Sequence, residues 1–218
     1  LARSRGLGDV YKRQLPDIGI GSQGEVGSVL LFGAVPIESM KTIALPSDSA
    51  TSVALLKHLL AKRGHDMNYV STGPDYDSMM AMADGALLIG DRALDAAREF
   101  PEMVQMDLGT AWMEEKGLPM IFGVFVARRD TPTALVQRAH AALLANLVQF
   151  ETDQTKRQRV IEWSMEKSGL THERLDQYYG EVFNRLNAHH LNGLFRFLEQ
   201  ACGMENEPQF AWLADAVV

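Results

Sequence analysis

The sequence predicts an α/β fold built on a parallel sheet, and three observations lead there. From Lys41 to Glu99, short apolar runs of strand length alternate with helical segments. The runs Ser28–Phe32 and Gly85–Ile89 are almost continuously apolar, as buried strands are, and Met120–Arg128 is the most strand-like run in the chain. At 218 residues the chain is long enough for one large domain or for two lobes with cores of their own.

Composition narrows the function classes. Apolar residues make up 46% and charged residues 22%, and no apolar run approaches the roughly 18 residues that span a membrane. The single cysteine, Cys202, excludes an internal disulfide and a cysteine-based metal cage. A net charge of -7 gives a nucleic-acid role no electrostatic support. An anionic ligand must therefore be attracted by local N–H groups, since the overall field repels it.

In chain order, residues 1–14 (L-A-R-S-R-G-L-G-D-V-Y-K-R-Q) are basic and show no amphipathic period. They resemble the translation of a sequencing-adapter tail, so a non-native or disordered tail is expected there and the fold is read from Leu15 onward. Asp17–Gly27 carries four glycines in eleven residues and is expected to be a loop. It leads into the strand Ser28–Phe32, with Ser28 at the junction.

The central stretch is Lys41–Gly64. K-T-I-A-L is a strand, P-S-D-S-A-T-S a polar turn, and V-A-L-L-K-H-L-L-A-K-R a helix ended by Gly64. Val53, Leu56, Leu59 and Leu60 share its apolar stripe. Such a junction aims backbone N–H groups and the positive end of a helix dipole at one point, where a carboxylate or phosphate fits. The same cluster of Ser47, Asp48, Ser49 and Thr51 also serves as an ordinary helix cap.

Strands follow at Asn68–Thr72, Gly85–Ile89, Met103–Leu108 and Met120–Arg128, with helices over Asp75–Asp84, from Gly90 and Asp91 to Glu99, and over Gly109–Lys116. Met79, Met80 and Met82 read as core filler. In parallel α/β sheets ligands sit at the carboxyl ends of strands. Ser49–Ser52 and Gly90–Asp91 both lie at such ends and can face one crevice. From Thr131 onward everything reads as helix, with an apolar stripe Leu135, Ala139, Ala142, Leu143 and Leu147. Val160, Trp163 and Met165 suggest a second helix, Leu175, Tyr178 and Tyr179 a third, and Leu191, Leu194, Phe195 and Leu198 a fourth. Adjacent His189 and His190 point about 100° apart on a helix and cannot share a metal. No nucleophile elbow, P-loop, dinucleotide fingerprint or zinc signature is present, so chemistry has to come from positioning and hydrogen bonding.

Four motifs then occur in order: G-S-Q-G-E-V-G-S-V-L-L-F from Gly21, S-D-S-A-T-S-V-A-L-L from Ser47, A-L-L-I-G-D-R-A-L from Ala86, and D-L-G-T-A-W…G-L-P-M-I-F-G-V-F-V-A-R from Asp107 to Arg128. Together they resemble the chorismate dehydratase family of the futalosine route to menaquinone. That resemblance, from Leu15 to Gly203, implies a two-lobed fold like that of type II periplasmic solute-binding proteins. Lobe 1 is expected from 15–36 and 119–218, incomplete at its start and carrying the C-terminal helices, and lobe 2 from 37–118. It further implies that an opening stretch of the first lobe, with an Asn facing the cleft, is absent and that this fragment is inactive.

The activity the resemblance implies is loss of water from chorismate to give 3-[(1-carboxyvinyl)oxy]benzoate, with no metal and no cofactor. Ser28 matches the family's active-site serine and is the expected catalytic residue. Ser49, Thr51 and Ser52 are expected to bind a substrate carboxylate. Gly90 and Asp91 are also expected at the substrate, Gly90 letting the backbone approach the ligand and Asp91 capping its helix rather than acting as an acid. The implied partner is a small-molecule substrate in a cytoplasmic protein, with a homodimer allowed and neither nucleic acid nor membrane insertion involved. Two other readings fit the same architecture: a non-catalytic solute-binding protein for a small carboxylic or aromatic anion, and the naphthoate-forming enzyme later in the same route, which the Ser28 and Thr51-Ser52 motifs fit less well.

Overall fold

The computed structural model describes residues 12–204 and 210–211. Its strands form two sheets. The smaller sets β1 (Lys12–Ser22) between β7 (Met120–Arg128) and β8 (Val182–Arg185), antiparallel to both. The larger contains β2 (Val29–Gly33), β3 (Thr42–Pro46), β4 (Asn68–Thr72), β5 (Gly85–Ile89) and β6 (Val104–Asp107), in the order β4-β3-β5-β2-β6. Here β3 runs parallel to β4 and β5, while β2 runs antiparallel to β5 and β6. The sheet is thus parallel apart from one reversed inner strand, a two-lobed α/β arrangement. Residues Val29–Gly33, placed with the first lobe by sequence, form an inner strand of this larger sheet.

Helices cover both faces of the larger sheet, which is why its inner strands β2 and β5 read as unbroken apolar runs. Leu31, Ile43, Leu45 and Leu87 pack on one side with α1 (Ala50–Lys62) and α4 (Leu108–Lys116). Leu30, Phe32, Ala44, Ala86 and Leu88 pack on the other with α2 (Tyr76–Met80) and α3 (Asp91–Glu99). Neighbouring residues along each strand go to opposite faces, as the two-residue period of a strand requires. In α1 the buried stripe is Ser52, Leu55, Leu56, Leu59 and Leu60, with Val53 half-buried. Gly64, at φ 79, follows that helix in the left-handed region.

The glycine-rich run expected to be a loop is strand as far as Ser22, and Lys12, Arg13 and Gln14 belong to β1 rather than to a tail. Two register shifts and a positive φ of 61 at Asp17 break the strand without ending it. Pro16 fits beside that irregularity, where a ladder donor is not needed. A Cβ on Gly21 would lie 2.6 Å from the Met120 carbonyl oxygen and from the Phe183 ring, so glycine here permits close strand approach instead of a turn. Residues 1–11, the rest of the expected tail, lie outside the described residues.

The C-terminal part is not wholly helical, because β8 intervenes between α7 (His172–Glu181) and α8 (Ala188–Gln200). In α5 (Thr133–Thr152) the buried residues are Val136 and His140, while Leu135, Ala139 and Ala142 of the expected stripe are exposed. His140 turns inward because its Nε2 meets the Pro16 carbonyl at 2.8 Å. In α6 (Gln154–Ser168) Ile161 is buried and Trp163 exposed. Ile161 and Leu175 close on Leu94 of α3, so α6 and α7 bind the larger sheet's helical layer. Phe197 of α8 meets fully buried Trp112 of α4 edge-on at 6.0 Å, and one hydrophobic core runs from Leu31 to Met120 and Leu186 across both sheets.

Candidate active site on one edge of the larger sheet

All six residues selected from sequence lie along a single edge of the larger sheet. Ser49, Thr51 and Ser52 follow the carboxyl end of β3, and Gly90 and Asp91 follow that of β5. Ser28 precedes β2, and because β2 is reversed its start lies beside the end of β5, with Val29 opposite Ile89. The Ser28 carbonyl accepts a hydrogen bond from Gly90 N at 2.7 Å. The strand order places the β3 end two positions from Ser28, about 10 Å at ordinary strand spacing.

Ser28 is held in an unusual turn. Its N–H donates to the Val26 carbonyl at 2.7 Å, closing a three-residue γ-turn about Gly27 at φ 62. A non-glycine residue would be strained there. On one side the Asp107 carboxylate accepts from Gly27 N (2.8 Å) and Val26 N (3.1 Å) while also capping α4 through Thr110 N (2.9 Å). On the other, a Cβ on Gly27 would collide with the Arg174 guanidinium and the Glu181 carboxylate of α7. Ser28 is itself only 4% exposed. The motifs beginning at Gly21 and at Asp107, which lie far apart in sequence, thus meet to fix one hydroxyl.

The serine loop is partly self-satisfied. Ser49 is the N-cap of α1, its Oγ accepting from Ser52 N at 3.3 Å and donating to Ser52 Oγ at 2.8 Å. Ser52's amide is therefore committed to capping. The donors left open at this end are the first-turn N–H groups of Ala50 and Thr51, and the hydroxyls of half-buried Thr51 and buried Ser52. Asp91, expected as a cap, is the first residue of α3, and the cap is Gly90 at φ 62. The Ala93 and Leu94 amides bond the Gly90 carbonyl, leaving those of Asp91 and Arg92 facing the same edge. Arg92 pairs with Asp48 at 2.7 Å and ties the two loops together. Two helix N-termini and the Ser28 hydroxyl thus share one edge, a set suited to anionic groups.

Sequence reading did not select Tyr178 as a site residue; it is half-buried on α7 and packs on the Leu94–Leu175 cluster. Burial pushes its phenol above the usual tyrosine range, opposed by Ser28 and reinforced by the negative charges of Asp91 and Glu181. Nor did it select Asp107, Arg174 or Glu181. A hydrophobic pattern marks only that Tyr178 shares a helix face with Leu175, and 150 residues separate it from Ser28.

Among the described residues no cluster of three or more His, Cys, Asp or Glu could hold a metal, and no helix is long and apolar enough to cross a membrane. A hollow of about 560 Å³ between α5 and α6, lined by Lys156, Arg159 and Trp163 among others, shares no residue with the sheet edge.

Comparison with known proteins agrees with this architecture. Residues 10–202 match the profile of a family described as menaquinone biosynthesis. A chorismate dehydratase of Thermus thermophilus is 36% identical over 151 residues, 59% of this chain and 53% of that protein. The chain thus spans about half the length of the curated relative it matches. A crystal structure of an Archaeoglobus fulgidus protein superposes with a TM-score of 0.62 over 88% of this chain and 73% of that one, at 20% identity. That superposition supports the fold.

Proposed function

From the premise that the chain belongs to the menaquinone-biosynthesis family, we propose that it dehydrates chorismate to 3-[(1-carboxyvinyl)oxy]benzoate. The observation that carries this reading is the gathering of Ser28, the α1 N-terminus and the α3 N-terminus on one sheet edge. Chorismate has two carboxylates and a ring hydroxyl, and these three groups offer a partner for each. Thr51, with the open amides of Ala50 and Thr51, receives one carboxylate. The amides of Asp91 and Arg92 receive the other, with Gly90 leaving room for backbone approach. Each charge-assisted bond is worth about 1.5–3 kcal/mol.

Ser28 then stands at the ring and donates to the departing hydroxyl. The proton on the neighbouring ether-bearing carbon is lost and the ring becomes aromatic. Aromatisation makes the step downhill, so the site's task is selection. Holding both carboxylates at fixed separation favours this elimination over loss or rearrangement of the enolpyruvyl side chain. The Glu181 carboxylate beside Gly27 is already engaged by Arg174 and Gln177, so the substrate's own carboxylate takes the proton. The lobe limits, a cytoplasmic setting and a homodimer belong to the same proposal.

Incubating the full-length gene product with chorismate and following ultraviolet absorbance tests the reading. Appearance of the aromatic product, lost in Ser28→Ala, is expected. Chorismate that stabilises the protein yet remains unchanged would make it a solute-binding protein.

A further inference from the structure

We infer that the Arg92 guanidinium, oriented by Asp48, grips the second carboxylate of the substrate and makes the site selective for a doubly charged ligand. The inference rests on the reading above, in which the α1 and α3 N-termini each receive a carboxylate.

The position of the side chain supplies the first support. Asp48 follows the carboxyl end of β3 and Arg92 that of β5, its parallel neighbour. The helices that come next lie on opposite faces of the sheet, Leu55 and Leu56 of α1 in one core and Ala93 and Ala96 of α3 in the other. The 2.7 Å bond from Arg92 Nη2 to Asp48 Oδ2 therefore crosses the sheet edge from one face to the other. It sets the guanidinium between the two helix N-termini, on the loop whose Gly90 amide bonds the Ser28 carbonyl. Asp48 accepts from Nη2 alone, so the Nε and Nη1 donors stay open among the described residues. Donors in that planar fork match a carboxylate. The Arg92 side chain is 38% exposed, so a ligand reaches it, and an ion pair this open adds little to stability.

Charge supplies the second. The chain carries a net charge of -7, and Asp48 and Asp91 both stand at this edge, where they repel an anion unless a cation offsets them. Most cations of the covering helices are elsewhere. Lys62, Arg98 and Lys116 occupy the last turns of α1, α3 and α4, at the opposite ends from the site. Lys57 lies over the Tyr69 ring at 4.6 Å. Beside Gly27, Arg174 is held in a clamp with Glu181 by two parallel N–H···O bonds of 3.1 Å, which occupy its fork and cancel its charge. Among these residues Arg92 is the cation at the edge with donors to spare. A ligand with one carboxylate, received at α1, leaves Arg92 paired with Asp48 alone, whereas a second carboxylate brings the open donors into use.

Chorismate turnover by the full-length gene product tests this in Arg92→Gln and Asp48→Asn. The carboxylate at Arg92 keeps its charge through the step, so Arg92→Gln is expected to raise KM about tenfold to a hundredfold with kcat within about threefold. Asp48→Asn removes a competing negative charge while its amide oxygen still accepts from the guanidinium, so KM should stay at or below that of the unaltered protein. A tie serving only to hold the loops would instead weaken binding equally from both ends. Melting temperatures of both variants should lie within about 4 °C of the unaltered protein, as fits an exposed pair. An unchanged KM in Arg92→Gln, or an equal rise in KM in the two variants, overturns the inference while leaving the site reading intact. No turnover by the unaltered protein overturns the site reading and the inference with it.

Discussion

Replacing Asp107 by alanine tests how the γ-turn is held. The carboxylate accepts three backbone N–H bonds, at 2.8 Å from Gly27, 3.1 Å from Val26 and 2.9 Å from Thr110. Losing the Thr110 bond uncaps α4 and costs about 1 kcal/mol. Val26 and Gly27 are both buried, and each stranded amide costs about 1–3 kcal/mol. The expected destabilisation is about 3–7 kcal/mol, a large part of a typical domain's total stability. In a chain of 218 residues that lowers the melting temperature by about 6–28 °C. Asp107→Asn keeps one acceptor oxygen and should lose about half as much. The assay is thermal unfolding followed by circular dichroism, with urea unfolding to compare midpoints at constant slope. An Asp107→Ala protein melting within about 2 °C of the unaltered chain would refute the turn's dependence on this carboxylate.

Gly27→Ala places a methyl group against Arg174 and Glu181 at φ 62, whereas Gly64→Ala at φ 79 meets nothing within 4 Å. The backbone penalty of about 1–2 kcal/mol is common to both, so urea unfolding should show Gly27→Ala the more destabilising by at least about 1 kcal/mol; equal effects would contradict the clamp. Leu56→Ala empties a fully buried position between α1 and the sheet and should cost about 2–5 kcal/mol by the same assay. His58 has a side chain only 7% exposed, 3.5 Å from Glu115. Burial lowers its pKa below 6.5, helped by Lys116 and Lys62 and opposed by Glu115. The unfolded chain therefore takes up the proton first, so stability is full above about pH 6.5 and falls as pH drops below it. Urea midpoints at about pH 7.5 and pH 5.5 should show that loss, and His58→Gln should reduce it; an unchanged slope would contradict the assignment.

Much of the larger sheet is legible in the sequence because burial on both faces writes itself as continuous apolar runs. Asn68–Thr72 and Gly85–Ile89 in the larger sheet, and Met120–Arg128 in the smaller, are strands with those same ends. Elements defined by a distant partner are not legible in this way. Val182–Arg185 is strand only because β1 lies beside it, and Gly19 and Gly21 look like loop residues until Gly123 and Leu186 are seen against the first and Met120 and Phe183 against the second. In α5 apolar residues occur on two faces, and which face is buried depends on His140 reaching Pro16. The donor loops of the site could be found because hydroxyl and glycine residues punctuate strand ends. Arg174 and Glu181 could not, since an ion pair on a helix reads the same whether it is solvated or pressed against a distant glycine. Asp107 is readable as an α4 cap, but its second role at Val26 and Gly27 depends on chain packing 80 residues away.

The central claim is that Ser28 and the α1 N-terminus grip the same ligand. Calorimetric titration of chorismate into the unaltered protein, Ser28→Ala and Thr51→Ala tests it most directly. The proposed geometry predicts binding weakened about tenfold in each variant, as loss of a hydrogen bond to a charged or reacting group requires. Affinity unchanged in either variant would contradict a shared site.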